Sequence, residues 1–99
     1  MGWNISHGGT KYGYSYSGMA ELARRCSGIL TRQDWAHVSA VMGRRSGDPF
    51  KVQPEQAQKV GDALLLAAGY LPDDWAAMAQ QIGQSAIRAA KARESWEWS

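Results

Sequence analysis

Four side chains of this 99-residue chain are of types that start covalent or acid–base chemistry: Cys26, His7, His37 and Ser6. Nucleophilic catalysis needs a nucleophile, a base and an orienting group within hydrogen-bond reach. Cys26 shares an apolar stripe with Met19, Leu22 and Ala23, where a free cysteine behaves as a small buried hydrophobe. His37 follows Trp35 and Ala36 on the side away from its own helix's stripe, a position for a solvated residue. His7 stands beside Gly8 and Gly9, where a backbone can approach a ligand, so it is the ligand-turn candidate. The plainer reading is a turn histidine packed on Trp3. Two histidines and one cysteine give no zinc-like spacing. Asp62, Asp73 and Asp74 read as helix caps and solvation. The expectation is a non-enzyme with no metal and no cofactor.

Short motifs do not change this. Residues 1–6 fit the myristoylation pattern apart from the bulky Trp3, and residues 4–6 form a glycosylation sequon with no secretory route. Gly8-Gly9-Thr10-Lys11 has the wrong order for a phosphate-binding loop.

Residues 1–17 read as a β-hairpin: Trp3 and Ile5 alternate with Asn4 and Ser6, and Tyr12, Tyr14 and Tyr16 repeat with period two. From Gly18 the period becomes helical. A first helix spans 18–27 and stops at Gly28. A second spans 32–43, with Thr31 as N-cap, Asp34 at the third position and Leu30 stapling onto Trp35. It buries Trp35, Val38, Val41 and Met42. A third helix spans 54–68 from Pro54, burying Ala57, Val60, Gly61, Leu64, Leu65 and Ala68. The fourth spans 73–92, burying Trp75, Met78, Ala79, Ile82, Ala86 and Ala89. Gly61, Gly83 and fifteen alanines call for close helix approach.

The expected fold is mainly α in one domain. A β-hairpin (1–17) precedes two packed helical hairpins (18–47 and 54–93), and a tail (94–99) follows. Trp96 and Trp98 alternate like a strand and should meet the first hairpin, whose edges need cover. The stretch 34–43 also lies above 74–83 at an offset of 40, sharing Asp, Trp, Ala and Gly. Internal duplication explains this, and so does the cap-and-stop grammar common to helical hairpins.

Composition agrees with one compact domain: 44% hydrophobic, 20% charged, with five Trp and four Tyr. The longest apolar run, 63–68, is six residues, against the ~20 a membrane span needs. The single Cys26 forms no internal disulfide, and residues 1–6 lack a basic start and an apolar core. A cytoplasmic location is therefore expected.

Two kinds of binding surface remain. Tyr12, Tyr14 and Tyr16 on one strand face, with Trp96 and Trp98 on another extended face, are the residue types that anchor protein interfaces. The competing view is that they form a lid on the core. The second surface is basic: residues 24–51 carry Arg24, Arg25, Arg32, Arg44, Arg45 and Lys51 against two acids. Nucleic-acid phosphates would suit it. The net charge is only +2, and Asp34 would face a groove in any helix-turn-helix arrangement. A protein partner is preferred, a second copy of the chain included, and nucleic acid is the alternative.

The opening Gly2-Trp3-Asn4-Ile5-Ser6-His7-Gly8-Gly9, the internal Asp74-Trp75-Ala76 and the closing Trp96-Glu97-Trp98 resemble a family of small uncharacterised proteins of high-GC actinobacteria and their phages. The resemblance implies a bacterial cytoplasm or an infected cell, and an accessory or regulatory role. It implies no activity.

Overall fold

The computed structural model describes residues 2–7, 10–43 and 48–99, with backbone alone at 6, 7 and 10–12. The elements run β1 (Gly2–His7), β2 (Thr10–Ser15), α1 (Tyr16–Ser27), α2 (Arg32–Met42), β3 (Phe50–Val52), α3 (Pro54–Ala68), α4 (Asp73–Lys91) and β4 (Trp96–Trp98). Four helices and an antiparallel N-terminal strand pair are as expected. The strand pair, however, is half of a four-stranded antiparallel sheet ordered β2-β1-β4-β3.

Capping chemistry fixes where strand becomes helix. Ser15 is extended, and its Oγ accepts the Gly18 N–H at 3.0 Å, so α1 begins at Tyr16. Tyr16 is therefore a helix residue and not the third tyrosine of a strand. Thr31 caps α2 as expected, its Oγ1 accepting the Asp34 N–H at 3.2 Å. Pro54 opens α3, and the Gly69 N–H returns to the carbonyls of Leu66 and Ala67 at its end. Short turns closed by Gly28 and Gly69 join α1 to α2 and α3 to α4.

Register settles which sheet face is inside. Trp3 pairs with Tyr14, Ile5 with both Tyr12 and Trp98, Phe50 with Trp98, and Val52 with Trp96. Directly opposed residues share a face. Trp3, Ile5, Val52, Trp96 and Trp98 are all buried there under the helices, while Asn4, Lys51 and Glu97 face outward and are exposed. Trp3 is the hub of this aromatic layer, its ring centre 5.4–5.6 Å from those of Tyr16, Phe50 and Trp98 in edge-on contacts. Trp96 donates its indole N–H to Ser85 Oγ at 3.0 Å, and both side chains are fully buried.

The tail meets the first hairpin as expected: β4 pairs with β1, and Asn4 and Ser99 exchange both backbone hydrogen bonds. Helices α3 and α4 pack along their lengths. Their closest approach is at Gly61 and Gly83, each of whose Cβ positions faces the other's carbonyl oxygen. Four core assignments change, the first being Met78, which is half-buried beside Trp75 at the start of α4. Trp35 and Trp75 are half-buried because each opens its helix at the margin of the core. Leu65 is exposed, because Ala63, Leu64, Ala67 and Ala68 occupy the inward arc of α3.

Candidate functional site

Cys26 lies on the buried stripe of α1, and burial pushes its thiol up to about 11. At neutral pH it is held as the protonated thiol, a poor nucleophile. His37 is half-buried on α2, where its backbone carbonyl accepts from Gln56. The backbone of His7 ends β1 opposite Thr10; its side chain and that of Ser6 lie outside the described residues, as do Gly8 and Gly9. Among the described residues no group of three His, Cys, Asp or Glu could hold a metal ion.

The aromatic face does not lie where alternation alone puts it. Trp96 and Trp98 are core residues covered by helices, with no surface to offer a partner. Tyr14 is half-buried and donates its hydroxyl to Gln81 Oε1 of α4 at 2.7 Å. Tyr16 is 37% exposed at the start of α1 and stands edge-on to Trp3. The side chain of Tyr12 lies outside the described residues; its backbone faces Ile5. Tyr14, Tyr16, Trp96 and Trp98 thus tie the sheet to the helices.

The basic candidates also separate. Glu21 on α1 takes two of them. Arg24 donates to both its carboxylate oxygens, and Arg25 Nε lies 3.0 Å from Oε2, an ion pair without an aligned hydrogen bond. The Arg24 hydrogen bond, helped by both positive charges, holds the Glu21 carboxyl below its ordinary range. Arg25 also sits 5.0 Å above the Trp75 ring, tying α1 to the start of α4. Arg32 is exposed in the first turn of α2, and Lys51 is exposed on β3 opposite Glu97. Arg44 and Arg45 lie outside the described residues.

A different surface stands out. Along the solvent side of α3 the residues run Gln58, Lys59 and Asp62, then change to Leu65 and Leu66, followed by Tyr70 beyond the helix. Leu65 is 37% exposed, Leu66 54% and Tyr70 72%. Leu66 and Tyr70 are four positions apart at the helix end, where polar residues normally lie. Sequence reasoning missed this patch by assigning Leu65 to the core. The signal available was three leucines in a row, which no single helical stripe can bury. Elsewhere, a cleft of about 720 Å³ between the start of α3 and the end of α4 is lined by both signs of charge, Glu55 with Lys59 and Arg93. No helix is long and apolar enough to cross a membrane among the described residues.

Helices layered on one face of a small antiparallel sheet define the class: a predominantly helical α+β domain, the other sheet face being exposed at Asn4, Lys51 and Glu97. The family model for a domain of unknown function, DUF7739, matches residues 8–99, and the chain belongs to that family. No curated protein and no solved structure matches it.

Proposed function

We propose that this protein is a small non-enzymatic accessory or regulatory protein that works by docking on another protein through Leu65, Leu66 and Tyr70. The observation that carries this reading is the exposure of three large apolar side chains at one end of α3. Tyrosine and leucine there would give up little bound conformation and much apolar area on association. The raised thiol of Cys26 favours a binding role over catalysis. The nucleic-acid alternative loses support because Glu21 neutralises part of the basic surface at Arg24 and Arg25. The resemblance noted above favours an actinobacterial or phage origin and a cytoplasmic site of action.

For the internal repeat we favour shared helical-hairpin grammar over duplication. The N-caps Thr31 and Pro72 are 41 positions apart, but the Asp-Trp-Ala triplets are 40 apart, so the triplet is turned by one residue relative to its cap.

The test is capture of partners from an actinobacterial lysate, with and without nuclease. A Leu66→Ser/Tyr70→Ser variant should lose a nuclease-resistant partner that an Arg24→Ala/Arg32→Ala/Lys51→Ala variant keeps. Capture abolished by nuclease, or lost only in the cation variant, would transfer the function to nucleic acid.

A further inference from the structure

Three exposed carboxylates flank the apolar patch in the chain. Between Val60 and Ile87 the chain carries Asp62, Asp73 and Asp74 and no lysine, arginine or histidine. Asp62 lies one turn before Leu66 on α3, exposed, and accepts a hydrogen bond from Gln58 that leaves its charge in place. Asp73 and Asp74 follow Tyr70 directly and are exposed in the first turn of α4. The carbonyl end of α3 adds partial negative charge beside Leu66. Lys59 lies one turn before Asp62 on the same helix without an ion pair to it, and Arg25, beside Trp75, is engaged by Glu21 and by the face of that ring.

We infer that the Leu65-Leu66-Tyr70 patch is built for a cationic amphipathic segment of a partner protein: apolar side chains seated on the patch, with lysines or arginines flanking them toward Asp62, Asp73 and Asp74. The inference rests on the protein-docking reading and adds the chemistry of the partner. Like charges facing each other across an interface oppose association. A symmetric pair of copies joined through this patch would set Asp62, Asp73 and Asp74 against their own equivalents. A basic partner instead gains attraction at each of them. Such rim charges act mainly on encounter rate and selectivity, while Leu66 and Tyr70 hold the bound segment.

The experiment is selection of a random dodecapeptide library displayed on phage against the full chain, followed by titration of the enriched peptides. The expected sequences carry two or more apolar residues with an excess of Lys and Arg. Their binding should vanish in Leu66→Ser/Tyr70→Ser. It should weaken about tenfold in Asp62→Asn/Asp73→Asn/Asp74→Asn, the combined effect of three modest exposed ion pairs, with a flatter salt dependence. Asp62→Asn alone, remote from the start of α4, is the second variant should the triple variant melt early. Enriched peptides that need Leu66 and Tyr70 but show no cationic excess would overturn this inference and leave protein docking standing. Peptides indifferent to Leu66 and Tyr70, or none enriched, would remove both. Concentration-dependent self-association abolished by Leu66→Ser/Tyr70→Ser would make a second copy the occupant and overturn the inference.

Discussion

Substituting Gly61 by alanine tests how tightly α3 and α4 are locked. On propensity alone the change should help, since alanine is better than glycine in a helix interior by about 1 kcal/mol. The structure reverses the sign. A Cβ on Gly61 would lie 2.9 Å from the Gly83 carbonyl oxygen and 2.7 Å from Ile87 Cδ1. The side chain of Ile87 can turn aside, but the carbonyl belongs to the backbone of α4. The helices must separate by about 0.5 Å to restore ordinary contact, and that loosens the alanine-rich seam along both. Overpacking of this kind costs about 1–3 kcal/mol, so after the propensity gain the net expectation is a loss of up to about 2 kcal/mol. For a domain of this size that lowers Tm by up to about 16 °C. Gly83→Ala is the internal control. Its Cβ would meet Leu65 Cγ at 3.1 Å and the Gly61 carbonyl at 3.2 Å, and Leu65 is free to swing toward solvent. Gly83→Ala should therefore fall within about 0.5 kcal/mol of the parent, its propensity gain offsetting a milder contact. Urea unfolding of both variants, with thermal melts alongside, measures the difference. A Gly61→Ala protein that melts several degrees above the parent would refute the close approach.

Two further outcomes follow from buried polar groups. Ser85→Ala strands the Trp96 indole N–H in the core and should cost about 1–2 kcal/mol in urea unfolding; the loss should largely disappear in a Trp96→Phe background, and an equal loss there would separate the two residues. Cys26 has its thiol raised from 9.0 to about 11 in the folded state, so the unfolded chain releases this proton first. Its contribution is fully present below pH 9 and is lost as pH rises toward 11, at up to about 1.4 kcal/mol per pH unit. The stability gap between the parent and Cys26→Ala should shrink by roughly 2 kcal/mol across that window, and a constant gap would contradict the burial of the thiol.

The helices were legible because their signals are local. Thr31 caps, Pro54 starts and Gly69 stops within a turn of the residues they govern. The sheet was legible only in part. Alternation in residues 1–17 gives strands, but it cannot say which side faces in; that depends on β4, which pairs with β1 from the far end of the chain. Phe50-Lys51-Val52 carries too short a pattern to announce a strand, and its partner lies in the tail. Tyr16 was misplaced because a period-two run of tyrosines crosses the Ser15 cap without interruption. The exposed apolar end of α3 is the reverse case. Hydrophobicity at Leu65 looks like core until the packing of Leu64, Ala67 and Ala68 leaves it outside.

The central position of β4 bears on how the protein is made. Ile5 and Trp98 are neighbours in the sheet but more than ninety positions apart in the chain. At ribosomal speeds of about 5–20 residues per second, β1 waits about 5–20 s for its inner partner. Through that interval the Trp3 side of the first hairpin has no β4 and no β3 bound to it, and its open edge is available to chaperones or to other nascent chains. Any polypeptide halted before residue 96 keeps its helices' sequences but lacks the strand that joins the two halves of the sheet. Such products would present tryptophan and an unpaired edge to quality-control proteases, so the sheet closes around β1 only after all four helices have been made.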